Sequence, residues 1–176
     1  MRDLTQNDWT NFIKGELKEK LKLDLLAMKM FRESDLQACC YYHLRQFANG
    51  RGSWRILNET WIKGLGRRPD LLICKSTKPV LIIELKYRRR YEGPSSKDAE
   101  VLTTAVESKE WARKAIFLQV VLHPTKSTGE KLPKSRGRIV TVALTEEEWK
   151  SFEPHFRTFR KPSPRRTKGR RFRRED

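Results

Sequence analysis

The sequence predicts an α/β fold: a single mixed central β-sheet flanked by helices, with an N-terminal helix and a basic C-terminal tail. Three observations predict it. Apolar residues recur at helical spacing as far as Asn49, short apolar runs of strand length take over from Trp54, and beyond Pro154 the composition turns to Pro, Arg and Lys. With 176 residues in all, one domain over 1–156 and a flexible arm over 157–176 account for the chain.

Each element follows from local pattern. Residues 9–29 carry Phe12, Ile13, Leu17, Leu21, Leu25 and Met28 at helical intervals. Ser34 is placed to cap a second helix whose stripe is Leu36, Cys40, Tyr41 and Leu44, and Asn49-Gly50-Arg51-Gly52 stops it. Residues 54–60 read as a strand and Gly64-Leu65-Gly66 as a loop. Residues 70–74 and 80–87 are apolar runs of strand length joined by the connection 75–79, a common hairpin size. A basic loop is expected over 88–96 and a helix over 97–113, with Leu102, Ala105, Val106 and Ala112 among its apolar positions. Residues 115–122 read as a buried strand, 126–138 as a basic loop and 139–144 as a further strand. Thr145 and Glu148 form a capping-box pattern for a short last helix near Trp149 and Phe152.

Charge narrows the partners. Lys plus Arg is 39 against 22 for Asp plus Glu, a formal net charge of +17. Residues 157–176 hold ten basic and two acidic residues, a net +8, leaving +9 on residues 1–156. Both parts favour a polyanionic partner, nucleic acid among them. The 37% hydrophobic fraction excludes collagen, mucin and fully disordered classes. No apolar run approaches the ~18–20 residues of a membrane span, so no membrane is expected. The first residues, MRDLTQNDWTNF, contain no apolar stretch of the kind a secretory signal needs. Three cysteines, Cys39 and Cys40 adjacent, make no disulfide framework and no CxxC half-site; buried, inert thiols are expected. An intracellular setting, cytoplasmic and nucleoid-associated or nuclear, fits these features.

The chemistry concentrates in Arg68-Pro69-Asp70-Leu71-Leu72-Ile73 and Val80-Leu81-Ile82-Ile83-Glu84-Leu85-Lys86. Glu84 falls inside a strand that ought to be buried, where a carboxylate is expensive unless compensated. Lys86 shares its face, while Leu81, Ile83 and Leu85 point the other way, into the core. If Cys74 pairs with Val80, Asp70 lies directly opposite Glu84, with Cβ atoms roughly 4.5–5.5 Å apart. Two carboxylates so placed repel unless a cation lies between them, and a hard ion such as Mg²⁺ takes oxygen ligands.

Pro-Asp followed by an apolar strand ending Glu-Leu-Lys resembles the PD-(D/E)xK nuclease superfamily, the restriction-endonuclease-like fold. The resemblance covers roughly residues 32–123 and implies an αβββαβ core. It also implies Mg²⁺ or Mn²⁺ held by Asp70 and Glu84, with the main-chain carbonyl of Leu85 as a further ligand and Lys86 orienting or activating the attacking water. Members of the superfamily add an acidic residue from the helix before the sheet. Glu33 matches that position, Asp35 is the alternative, and Gln37 lies one turn after Glu33. Acidic residues at a helix start also complement its dipole, which explains Glu33 without any metal. Lys97 and Asp98 open the helix where some families place an auxiliary polar residue.

Short motifs have structural explanations too. Pro69-Asp70 makes a good turn, and Glu84 with Lys86 makes a solvent-facing ion pair. Against that, the two halves fall on adjacent strands in opposing register, between basic clusters Arg67-Arg68 and Arg88-Arg89-Arg90. Those clusters are suited to grip phosphates, and Arg165, Arg166, Lys168, Arg170 and Arg171 in the tail to follow a phosphate backbone. His43, His123 and His155 have no i,i+4 partner of zinc-site type and read as packing or surface residues. Trp54 and Trp61 suit either base stacking or the core. The expected function is Mg²⁺-dependent phosphodiester hydrolysis by a DNA endonuclease, compatible with a homodimer because cutting two strands commonly uses two sites. A non-catalytic nucleic-acid-binding module on the same fold, or an RNA-associated basic protein, is the alternative. Removing residues 157–176 should weaken DNA binding and flatten its salt dependence while leaving metal-dependent cleavage detectable; unchanged affinity in a salt titration refutes the tail's role.

Overall fold

The computed structural model describes residues 3–63, 66, 68–90, 115–123 and 138–159. The chain starts with α1 (Gln6–Phe12), a π-helical turn (Ile13–Leu17) and α2 (Lys18–Leu26), where one continuous helix was expected. The interruption has a sequence cause. Ile13, Leu17, Leu21 and Leu25 recur every four residues and are all fully buried. On a 3.6-residue helix each would sit about 40° further round than the last, and the wider π turn takes up part of that drift. Thr5 and Asp8 cap α1 reciprocally, the Thr5 amide donating to Asp8 Oδ2 at 2.7 Å and the Asp8 amide to Thr5 Oγ1 at 3.2 Å. At the far end of α2, Met28 takes a left-handed φ of 61°, and the Met28 and Lys29 amides donate to Leu25 and Asp24 carbonyls, a Schellman stop.

Helix α3 (Glu33–Ala48) ends where the Asn-Gly-Arg-Gly sequence predicts, but it starts differently. Ser34 lies inside the helix and does not cap it. Asp35 reaches back instead, accepting from the Phe31 amide at 2.9 Å and from Arg32 Nε at 3.3 Å. At the last helix the expected capping box is present: the Thr145 amide donates to Glu148 Oε2 at 2.7 Å and the Glu148 amide to Thr145 Oγ1 at 3.2 Å. That helix, α4 (Glu146–Phe159), is longer than expected and passes through Pro154, so it crosses the boundary placed after residue 156. A proline there removes one backbone bond, which the apolar anchors Trp149 and Phe152, both buried, offset.

Five strands form one mixed sheet in the order β1 (Trp54–Asn58), β2 (Leu71–Lys75), β3 (Lys78–Arg90), β4 (Ala115–His123) and β5 (Arg138–Ala143). β1, β2 and β3 pair antiparallel, while β3, β4 and β5 pair parallel. The core lies on one face of this sheet. Leu71, Ile73, Leu81, Ile83, Leu85, Ile116, Leu118, Val120 and Val142 join Trp9, Ile13, Leu21, Leu36 and Leu44 from the helices in one buried cluster. Leu72, Cys74 and Ile82, from the opposite face, are also buried, as suits the centre of a mixed sheet. The helix expected at 97–113, with Lys97 and Asp98, and the basic tail lie outside the described residues. Among the described residues, no helix is long and apolar enough to cross a membrane.

The β2–β3 hairpin departs from expectation in an instructive way. Cys74 faces Pro79 rather than Val80, and the turn is the pair Ser76-Thr77 with Ser76 at φ 57°. A bulge between Ile73 and Cys74 then restores the anticipated alignment, so that Ile73 faces Leu81 and Leu71 faces Ile83. β3 also continues to Arg90, because β4 pairs with it from Ile82 as far as Arg90; residues 88–90, expected in a loop, are strand.

A polar cluster centred on the buried Asp24 joins α2 to α3. Asp24 accepts from Lys29 Nζ at 2.7 Å and lies 2.6 Å from His43 Nε2. Burial acts to raise the Asp24 pKa, but the hydrogen bonds from Lys29 and His43 outweigh it and hold the carboxyl below its ordinary value. Burial, with the Asp24 charge adding to it, pushes the nearby Cys39 thiol up to about 11, an inert thiol as expected. A depressed carboxylate pKa contributes stability that is present above the unfolded value, about 4, and lost as pH falls through the folded one. Asp24→Ala should therefore cost about 1–3 kcal/mol at pH 7, and the gap from wild type should close below pH 4 in denaturant titrations.

Candidate active site

β3 is longer than its neighbour. β2 begins at Leu71, opposite Ile83, so Glu84 to Arg90 extend past its end with β4 on one side only. Along a strand, alternate residues aim their amide and carbonyl at the same edge. The edge left open by β2 therefore carries the backbone groups of Leu85 and Tyr87. Two carboxylates meet those amides: the Leu85 amide donates to Asp70 Oδ2 at 2.6 Å, and the Tyr87 amide to Glu33 Oε2 at a longer 3.4 Å. The Leu85 carbonyl shares the edge with its amide, and the Leu85 side chain is buried in the core as anticipated.

Asp70 is fixed by its backbone as well as its side chain. Its carbonyl accepts from the Glu59 amide at 3.2 Å, which ties it to the end of β1, and from Gln37 Nε2 at 3.1 Å, which ties it to α3. Gln37 lies one turn after Glu33, and its bond to the Asp70 backbone has no signature in the sequence. Glu84 lies close enough to Asp70 to act on its ionisation, in keeping with the restored register, and Glu84 Oε1 is buried. Burial raises the Asp70 pKa above the ordinary carboxylate range. The Leu85 amide opposes that shift, the charge of Glu33 adds to it, and Glu84 and Lys86 oppose it.

Glu84 and Lys86 share the sheet face opposite Leu81, Ile83 and Leu85. Lys86 Nζ lies 3.5 Å from Glu33 Oε2, with side chains one-third to one-half exposed. An ion pair so open to water adds little stability, but it aims the ammonium at the acidic residues. Glu33, expected as a third metal ligand, thus pairs with Lys86 and the Tyr87 amide. Among the described residues no three His, Cys, Asp or Glu side chains converge as a metal-holding group. Asp35, the alternative, is committed to Phe31 and Arg32 at the start of α3.

The basic residues divide. Arg68 is exposed and lies over the Trp61 ring, 6.0 Å from its centroid. Arg88, expected at the surface, is buried with 8% of its area exposed, because β3 continues through it and its side chain falls on the sheet face of Glu84 and Lys86. The backbones of Arg89 and Arg90 belong to β3, and their side chains lie outside the described residues, as do Arg67, Arg165, Arg166, Lys168, Arg170 and Arg171. Trp54 is core and Trp61 is not.

Two neighbouring carboxyls and one strand-edge carbonyl are oxygen donors of the kind a small hard cation takes. Mg²⁺ keeps several waters and takes only one or two carboxylates, so a third acidic ligand is not a requirement of such a site. Family models, curated proteins and solved structures give no match to this chain. The raised pKa makes a prediction for the metal-free protein. A carboxyl whose folded pKa is raised loses stability as pH climbs from the unfolded value through the folded one. Asp70→Asn keeps an acceptor for Leu85 and gives Glu84 a donor. In EDTA at neutral pH its melting temperature should exceed that of the wild type by about 2–4 °C, with the difference shrinking below pH 4.

Proposed function

We propose that the chain is a metal-dependent nuclease of PD-(D/E)xK type that hydrolyses phosphodiester bonds, DNA before RNA, with Mg²⁺ or Mn²⁺ as cofactor. The observation that carries the reading is the closeness of the Asp70 and Glu84 carboxyls at the overhanging edge of β3, where the Leu85 amide holds Asp70. A protein of net charge +17 has little reason to place two acids side by side for stability alone, since burying a carboxyl disfavours its charged form. The mixed five-stranded sheet and the helix preceding it are compatible with a restriction-endonuclease-like core.

On this reading Asp70, Glu84 and the Leu85 carbonyl hold the cation, and the Leu85 amide fixes the angle at which Asp70 presents its other oxygen. A divalent ion bound there supplies Lewis acidity and lowers the pKa of a coordinated water. Glu33 holds Lys86 at the site, where its ammonium orients the attacking water and stabilises charge developing on the phosphoryl oxygens. Gln37 and the Glu59 amide keep Asp70 from drifting, so the geometry is set before substrate arrives. Arg68 adds attraction for phosphate near the site.

The test is a cleavage panel of linear, circular, single-stranded and branched DNA with Mg²⁺ or Mn²⁺. Asp70→Ala and Glu84→Ala should reduce cutting to background, and Lys86→Ala by about a hundredfold or more, with DNA binding largely retained. Wild-type-like cutting by either carboxylate variant overturns the site. Calorimetry with Mn²⁺ on wild type against Glu84→Ala separates the enzyme from a binding module: equal heats favour the module.

A further inference from the structure

Among the described residues four large apolar side chains are exposed: Leu23, Leu26, Tyr42 and Trp61. The first three lie on α2 and α3. Trp61 lies on the β1–β2 connection, which delivers Asp70 to the site, and 57% of its surface is open. That connection is anchored on both sides of the ring. The Glu59 amide bonds the Asp70 carbonyl at 3.2 Å, Ile62 is buried, and the Gly66 amide donates to the Ile62 carbonyl at 2.9 Å. The neighbouring Pro69 is buried as well, while Arg68 before it is exposed. The connection thus buries Ile62 and Pro69 and still holds an indole outward, with a guanidinium 6.0 Å from the ring centroid.

We propose that Trp61 and Arg68 form a nucleobase-stacking subsite, and that the substrate presents an unpaired base there, as single-stranded DNA does. The inference rests on the nuclease reading and deepens it by naming the substrate's form. Every base has a π-face, so an exposed indole captures an unstacked base without regard to sequence. In duplex DNA those faces are covered by neighbouring bases, and Trp61 has nothing to stack on. Arg68 stiffens the platform by its position over the ring and brings positive charge to the adjoining phosphate. Trp61 is two residues from Glu59 and Arg68 two from Asp70, at most about 7 Å of chain in each case. Both therefore reach the nucleotides next to a phosphodiester held by Asp70 and Glu84.

The experiment is fluorescence anisotropy of a labelled single-stranded oligonucleotide and of the matching blunt duplex, in EDTA, so that no cleavage is involved. Trp61→Ala should weaken single-strand binding about tenfold and change duplex binding less than twofold, with an unaltered melting curve. Trp61→Phe should restore most of the single-strand affinity, because it keeps a ring. Equal single-strand affinity in Trp61→Ala and wild type overturns the proposal, and so does an equal loss on both substrates. Failure of the nuclease reading is read elsewhere, from cutting by Asp70→Ala or Glu84→Ala, so the two outcomes are distinguishable.

Discussion

A strand that outruns its neighbour leaves backbone donors facing nothing, and a buried unpaired amide costs about as much as a lost hydrogen bond. β3 does this from Glu84 onward. The chain answers with side chains: Asp70 takes the Leu85 amide and Glu33 the longer bond to Tyr87. Acids are drawn to the edge by that need, and once there they lie beside Glu84 and Lys86. The same overhang that creates a backbone problem assembles a cluster of charged groups at the lip of the sheet. Its position is then secured from three sides, by the end of β1, by Gln37 on α3 and by the parallel partner β4.

The helical half of the molecule serves this arrangement from a distance. The π turn keeps Ile13, Leu17, Leu21 and Leu25 on one seam, and the Asp24–His43–Lys29 cluster pins α2 to α3. Tyr87 adds a direct link, its hydroxyl donating to the Met30 carbonyl at 3.0 Å just before α3 begins. The start of α3, which carries Glu33, is therefore held to β3 by backbone and side-chain bonds together. Small errors in that placement would move Glu33 relative to Lys86, and rigid support is what a preorganised site requires.

Much of this was legible in the sequence, and the rest failed for identifiable reasons. Strand periodicity separated Glu84 and Lys86 from Leu81, Ile83 and Leu85, because alternation is a property of the backbone alone. A five-residue connection sets the same alignment that the structure has from Leu71–Ile83 to Ile73–Leu81, although the actual turn is tighter. The bulge at Ile73 and Cys74 makes up the difference, and a bulge leaves no reliable mark in a single sequence. The reach of β3 to Arg90, and with it the burial of Arg88, depends on β4, a partner distant in the chain. Local composition there says loop. Trp54 and Trp61 are equivalent by residue type, and only their places in the fold make one a core residue and the other a surface ring. Acids at a helix start look alike in sequence, and only tertiary contacts give Glu33 its partners, Lys86 and the Tyr87 amide.

The bulge has a further consequence for how this hairpin can change over time. On the turn side of Ile73 and Cys74 the strands are offset by one residue from their alignment on the side of Asp70. The tip is thus out of phase with the site, and a one-residue change in the Ser76-Thr77 turn can be absorbed by losing or shifting that irregularity. The hairpin works like a cuff with a hem: length can be let out at the far end while the seam beside Asp70 and Glu84 stays where it was sewn.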